Sequence, residues 1–334
     1  MQLLRKLGFP ISLIYAMVVY LRNYCYDTGL FRSRSYATKT ICVGNLSVGG
    51  TGKTPMIEFL LSHVPQQFKI AILSRGYGRK SKGYLLAEPG VSVADLGDEP
   101  YQIYKKFSNA FVAVDADRQH GISTLEKTVG PDVIFLDDAF QHRKVKCDQY
   151  VLLTSYANLY VDDWYLPTGN LRDSKREARR ANIIVVTKCP QDLSAMEQHR
   201  ILKKLGPAPS QKVIFSFLDY DTSLKGGSGE ISLAQLKSTK VTLVTGIADP
   251  KPLVSFLKHR GIEFEHLAYQ DHHFFSEKEM AMFNTKGMVL TTEKDYVRLE
   301  GKVKNLHYIG IRHKFLNEGE KVLLNLLNDS LTNL

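Results

Sequence analysis

The chain has 334 residues, 44% of them hydrophobic and 23% charged, which excludes a disordered protein and makes two domains, or one large α/β domain, the starting expectation. A net charge of +10 calls for an anionic partner, and composition alone does not choose between nucleic acid, acidic lipid and a phosphorylated substrate. Four cysteines, Cys25, Cys42, Cys147 and Cys189, lie far apart without a CxxC pair, which argues against a disulfide framework or a zinc site and fits a reducing cytoplasm.

The first element is an apolar run from Phe9 to Leu21, flanked by Arg5, Lys6 and Arg22. It is too short to cross a bilayer, which takes about 20 apolar residues. The following RNYCYDTGLFRSRS offers no small-residue site for signal cleavage. Two readings remain. The run is a helix buried on the protein, or a helix in the membrane interface with Arg22, Arg32 and Arg34 toward lipid headgroups and Tyr15, Tyr20, Tyr24 and Tyr26 in the interfacial zone.

Next comes TICVGNLSVGGTGKTPMIEF, Thr40 to Phe59, which reads as a strand (Ile41 to Val43), a glycine-rich turn and a helix opened by Pro55. A phosphate-binding P-loop needs that order. Its glycines let backbone N–H groups converge on phosphate oxygens, and the helix start adds a partial positive charge. The loop residues Ser47, Val48, Gly49, Gly50, Thr51 and Gly52 would cradle the nucleotide; Lys53 would reach its outer phosphates and the Thr54 hydroxyl would hold Mg²⁺. The general pattern begins with glycine, and this chain has Ser47 there.

A strand at Lys69 to Leu73 feeds Ser74-Arg75-Gly76-Tyr77-Gly78-Arg79, a turn at the sheet edge where open α/β folds bind ligands, or simply a flexible basic turn. Leu96-Gly97-Asp98-Glu99-Pro100 opens a helix over Tyr101 to Phe107, with Asp98 as a possible cap. A strand at Phe111 to Val114 leads into a loop, Asp115 to His120. DVIFLDDAFQH, Asp132 to His142, is the second strong signal: four apolar residues in a row read as a buried parallel strand. Asp137 and Asp138 at its end form a Walker B arrangement for Mg²⁺. Strands at Tyr150 to Thr154 and Asn182 to Thr187 enclose LPTGNLRD, Leu166 to Asp173, whose Arg172 is a candidate for neutralising a transferring phosphate.

Alternating strands and helices give an α/β class with a mainly parallel sheet. The Ser, Gly and Lys content of Asp219 to Lys240 marks a connector. The expected organisation is therefore an amino-terminal helical region at 1–35, a P-loop domain at 36–218, a connector at 219–240 and a smaller α/β domain at 241–334. In that last part strands are expected at Val241 to Thr245, Glu263 to Ala268, Met288 to Thr292 and Leu306 to Ile309, with helices reaching His259, near Ser276 to Asn284 and at Glu318 to Asn328. Asp271-His272-His273 is the cluster with chemical potential there, as a proton acceptor or relay rather than a metal site.

Taken together, GNLSVGGTGKTP, SRGYGR, GDEP, LDDAFQH, LPTGNLRD, DHH and TEKD (Thr292 to Asp295) resemble the tetraacyldisaccharide 4'-kinase family. Ser47 is the residue expected of that family. The resemblance implies a P-loop NTPase-type sheet with helices on both faces, a second smaller α/β domain and an amino-terminal helix dipping into the cytoplasmic face of the inner membrane. It implies ATP and Mg²⁺ as cofactors, an acylated disaccharide lipid as substrate, and neither nucleic acid nor an obligate protein partner. Carried over by motif, Asp98 takes the sugar hydroxyl's proton with help from His272, while Lys53, Thr54, Asp137 and Asp138 hold phosphates and metal. Asn45, Arg75, Tyr77, Arg118, His142, Arg172 and Asp173 fall on positions lining the substrate and phosphate pocket. The family usually has LRE where this chain has Leu171-Arg172-Asp173. A lipid substrate also favours the interfacial reading of the first helix. Rival readings are a nucleic-acid-stimulated ATPase, a membrane-bound scaffold and a GTP-dependent switch, the last opposed by Pro190, which stands where Thr187-Lys188 would need an aspartate two residues on.

Overall fold

The computed structural model describes residue 5 and residues 7–227 and 229–332. In chain order the amino-terminal half contains α1 (Phe9–Asp27), β1 (Lys39–Asn45), α2 (Lys53–Ser62), β2 (Ile70–Ser74), β3 (Leu85–Leu86), α3 (Val93–Leu96), α4 (Asp98–Lys106), β4 (Ala110–Val114), α5 (Arg118–Thr128), β5 (Val133–Asp137), β6 (Gln149–Ser155), β7 (Ile183–Thr187) and α6 (Ala195–Leu205). After β8 (Lys212–Lys225) and β9 (Ile231–Ser232) come β10 (Val241–Thr245), α7 (Lys251–His259), β11 (Phe264–Ala268), α8 (Glu277–Phe283), β12 (Met288–Thr292), α9 (Glu293–Leu299), β13 (Leu306–Phe315) and α10 (Gly319–Thr332).

One sheet runs through the whole molecule in the order β11-β10-β12-β13-β8-β7-β6-β1-β5-β2-β4-β3, with β9 beside β8. Its pairs are parallel except β13 with β8, β3 with β4 and β8 with β9. The central strands are short Val/Ile/Leu runs, buried on both faces because helices cover both sides. On one face α2 and α10 pack with Ile103 of α4; on the other lie Ile122 and Leu125 of α5 and Ile201 and Leu205 of α6.

Three local expectations are corrected. Asp219 to Lys225 is not a connector but the second part of β8. That strand pairs in parallel with β7 through Lys212–Phe215 and antiparallel with β13 through Ser216–Lys225. Its polar residues read as a linker, yet its backbone carries the sheet from one half to the other. The last helix, α10, turns Leu323, Leu326, Leu327 and Leu331 onto the core around Ile183, Val185 and Ile214, so it packs on the P-loop half. The loop expected at Asp115 to His120 contains the start of α5, whose cap Asp117 accepts from the backbone N–H of Gln119 at 3.0 Å.

The first helix is inverted relative to an ordinary surface helix. Ser12, Val19 and Asn23 face the protein, and Ile11, Leu13, Ile14, Met17, Val18 and Leu21 are exposed. Its inward stripe is held by polar bonds: Ser12 Oγ donates to the Tyr165 carbonyl at 3.0 Å, Tyr15 Oη to the Arg172 carbonyl at 3.0 Å, and Asn23 Nδ2 to Asp173 at 2.8 Å. Arg22, expected at lipid headgroups, instead pairs with Asp173 at 3.1 Å. Among the described residues no helix is long and apolar enough to cross a membrane.

Candidate active site

The site lies at the carboxyl ends of β1, β2, β4 and β5, where a parallel sheet opens its loops, and is closed by loops after β10 and β11. α2 begins at Lys53, with Gly52 as its left-handed cap at φ 85. Pro55 is thus the third helical residue rather than the first, a position whose N–H still has no partner within the helix. The loop is tied down on several sides. Asn45 Nδ2 donates to Thr51 Oγ1 at 3.1 Å, Thr187 Oγ1 to the Thr51 carbonyl at 2.8 Å, and Val48 N to the Asn170 carbonyl at 2.7 Å. His313, from β13, places Nε2 3.0 Å from the Gly52 carbonyl and Nδ1 3.0 Å from Ser216 Oγ. Burial pushes the His313 imidazole down to about 4, so it is neutral and its Nε2–H donates to Gly52.

The two aspartates after β5 have different surroundings. Asp138, at φ 49, faces Lys53 Nζ at 3.7 Å and accepts from Nη1 of Arg172 at 3.0 Å and from its Nη2. Burial raises its carboxyl, but Lys53 and Arg172 outweigh that and hold it below the usual range. Asp137 is buried; Ser74 Oγ donates to Oδ2 at 2.9 Å while Oδ1 has no partner among the described residues. Burial, reinforced by Glu99 and Asp138, pushes this carboxyl up to about 7. A buried carboxylate oxygen without a partner suits a cation. With Asp138 and the Thr54 hydroxyl it would hold Mg²⁺, whose remaining ligands would be phosphate and water oxygens, as that ion prefers.

Opposite this cluster stands Asp98. It is the first residue of α4, not its cap: Gly97 caps the helix at φ 88, and a side chain there would meet the Tyr77 carbonyl 2.7 Å away. Gly97 therefore lets the SRGYGR loop lie against the start of α4. Asp98 Oδ2 accepts from His272 Nδ1 at 2.8 Å and from Arg298 Nη2. Burial raises its carboxyl, but those two partners together bring it down to about 2. Lys294 Nζ lies 3.1 Å from His272 Nε2. An ammonium only donates, so Nε2 is the acceptor and the ring proton sits on Nδ1, facing Asp98. Of the adjacent histidines, His272 reaches Asp98; His273 turns to Glu279 at 3.0 Å and stacks on Tyr269.

The remaining sequence-selected residues divide. Arg118 is buried beneath the Asp137 carbonyl, 3.4 Å from Nη2, and donates to the Asp115 carbonyl at 2.7 Å. His142 is held down to about 4 by burial and the nearby Arg118, and its buried Nε2 has no partner among the described residues. Arg75 and Tyr77 are exposed, the Tyr77 ring 5.5 Å from that of His272. Arg172 also reaches Asn45, so those two meet Asp138 as one group. Asp173 is the exception. It is fully buried, and its oxygens go to Arg22, Asn23 and Ser174 N, so it faces α1 and not the pocket. Its bonds to α1 make it the anchor of the first helix beside Arg172. Sequence reasoning missed Arg298, Lys294, Thr187 and His313. For Lys294 the signal was its place in TEKD; for His313 there was none.

This arrangement puts an anion-binding loop, a carboxylate pair for a cation and an ionised acid on one rim, which is what phosphoryl transfer to a hydroxyl requires. A family model described as tetraacyldisaccharide-1-P 4'-kinase matches residues 4–331. A tetraacyldisaccharide 4'-kinase of Flavobacterium johnsoniae is 46% identical over 98% of this chain and 97% of the relative, and one of Flavobacterium psychrophilum is 43% identical over the full length of both. The crystal structure of LpxK from Aquifex aeolicus in complex with ATP superposes with a TM-score of 0.80 at 30% identity, covering 98% of this chain and 99% of that one. With its P-loop α/β sheet matched along nearly the whole length, the chain belongs to the tetraacyldisaccharide 4'-kinase family.

Proposed function

We propose how the described residues divide the work of this family's reaction, the ATP-dependent phosphorylation of the 4' hydroxyl of an acylated glucosamine disaccharide 1-phosphate. Asp98 accepts the hydroxyl proton. The sugar oxygen then bonds to the γ-phosphorus, the bond to the β–γ bridging oxygen breaks, and ADP leaves. The observation that carries this reading is the Asp98–His272 contact at 2.8 Å, made between the first residue of α4 and the loop after β11. Both contacts to Asp98 among the described residues fall on Oδ2, which leaves Oδ1 for the substrate. His272 orients the carboxylate through Nδ1–H. Lys53 and Arg172 offset phosphate charge, and Asn45 holds Arg172 in place. Asp137, Asp138 and Thr54 would hold Mg²⁺, which would supply positive charge against the transferred phosphate. Arg75, Tyr77 and His142 line the sugar and phosphate side, and Arg118 braces the Asp115 and Asp137 backbone beneath it.

The P-loop half and the smaller α/β half share β8 within one sheet, and α1 is the membrane-facing element. The exposed apolar face of α1 supports a seat at the bilayer surface, and the need for ATP supports the cytoplasmic face of the inner membrane. Asp98→Ala tests the base: kcat is expected to fall about 10²–10⁴-fold with the KM for ATP little changed. Normal turnover would remove Asp98 from the mechanism.

A further inference from the structure

Arg298 belongs to α9, which follows the TEKD segment and lies far from the P-loop in sequence. Its side chain is nonetheless buried at the centre of the site. Nη2 donates to Asp98 Oδ2, and Nη1 donates to Asp295 Oδ1 at 3.1 Å and to the His273 carbonyl at 3.2 Å. Asp295 is itself immobilised: it is fully buried, and Oδ2 accepts from Gly246 N at 2.9 Å and from Thr292 Oγ1 at 2.7 Å. A continuous chain of hydrogen bonds thus runs from the loop after β10, through Asp295 and Arg298, to the first residue of α4.

We propose that Arg298 is the positioning residue of the base, gripping Asp98 Oδ2 so that the carboxylate stays ionised with Oδ1 turned to the sugar hydroxyl. This rests on Asp98 being the proton acceptor. The charged and titratable groups facing Asp98 are Glu99 of α4, Asp271 and His272 after β11, Tyr77 after β2, and Lys294, Asp295 and Arg298 of α9. Of these, His272 and Arg298 touch the carboxylate. Of the two, only the guanidinium carries a permanent charge, so the fixed positive charge in contact with Asp98 is that of Arg298. Without it Asp98 would be a buried acid with no fixed cation in contact, near the buried carboxylate Asp295, and burial favours the protonated form. The guanidinium fork also bonds two carboxylates at fixed angles, which a lysine ammonium cannot reproduce.

The test is the pH profile of kcat/KM for the full-length enzyme with Mg-ATP and the disaccharide lipid in mixed micelles. Arg298→Met is expected to lower kcat at pH 7 about 10–100-fold with the KM for ATP within about threefold, and to move the acid limb up by one pH unit or more. Arg298→Lys is expected to return the limb toward its original position while recovering only part of kcat. A merely structural role would lower the rate equally at every pH and leave the limb in place, which would overturn the proposal. If Arg298→Met does not fold, Arg298→Lys against Arg298→Gln carries the same comparison; equal limbs in that pair would overturn it too. Asp98→Asn separates the two levels. An active Asp98→Asn enzyme refutes the base assignment, whereas an inactive one beside unshifted Arg298 variants refutes this inference alone.

Discussion

Replacing Ile14 and Met17 of α1 with serine probes the membrane seat. Their side chains are 61% and 65% exposed, on the face opposite the Ser12, Val19 and Asn23 stripe, so folding should tolerate the change. Burying such a side chain fully is worth about 1.5–3 kcal/mol, and at roughly two-thirds exposure the pair represents about 2–4 kcal/mol of transfer into lipid. Partitioning onto vesicles should therefore fall by about 30–800-fold. Sedimentation with vesicles of inner-membrane composition measures it directly. Turnover on a short-chain, micelle-dispersed substrate should stay close to normal, because neither side chain touches the site. Unchanged vesicle binding would show that this face does not enter the bilayer, and the interfacial reading of α1 would fail.

Three further outcomes follow from the buried contacts. Lys106 Nζ joins Glu58 of α2 at 2.7 Å to Glu293 of α9 at 2.9 Å, so Lys106→Met leaves two buried carboxylates unpaired and should cost about 2–4 kcal/mol in chemical denaturation, allowing for partial exposure of the lysine. Burial, with Glu293 adding to it, pushes Glu58 up to about 7 against the lowering effect of Lys106; without the lysine the carboxyl rises further and ionising it costs the folded variant more, so the variant's deficit should be larger at pH 8 than at pH 6. An equal deficit at both would contradict the linkage. His313→Ala removes a bond to the Gly52 carbonyl worth about 1 kcal/mol and should raise the KM for ATP several-fold while leaving that for lipid alone, as steady-state kinetics would read. Lys53→Ala should lower kcat by at least about 10²-fold in the same assay, and undiminished turnover would exclude it from charge neutralisation.

What was legible in the chain follows from how locally each function is encoded. A P-loop needs its glycines, lysine and threonine in one turn after a strand, so Ser47 to Thr54 could be read directly. LDDAFQH was equally clear, because a fully buried strand that ends in two acids is an unusual string. Between His272 and His273 the residue types carry no preference; the backbone decides, turning His272 at φ 59 toward Asp98 and leaving His273 against Glu279. Asp173 was misplaced for a related reason. Its neighbour Arg172 faces Asp138, and nothing in the sequence says that the next residue faces α1. Arg298 and His313 act on Asp98 and Gly52 across 200 and 261 positions, and one basic residue among many carries no mark of so distant a partner. The polar face of Asp219–Lys225 resembled a linker because only backbone pairing makes it a strand.

Single-turnover transfer from γ-labelled ATP to the tetraacylated disaccharide 1-phosphate, run with the wild-type enzyme and with Asp98→Asn, tests the central claim most directly. The account predicts label on the sugar's 4' oxygen for the wild type, and a loss of at least about 10²-fold for Asp98→Asn with nucleotide still bound. Label released only as inorganic phosphate, or an Asp98→Asn enzyme that transfers at the normal rate, would contradict it.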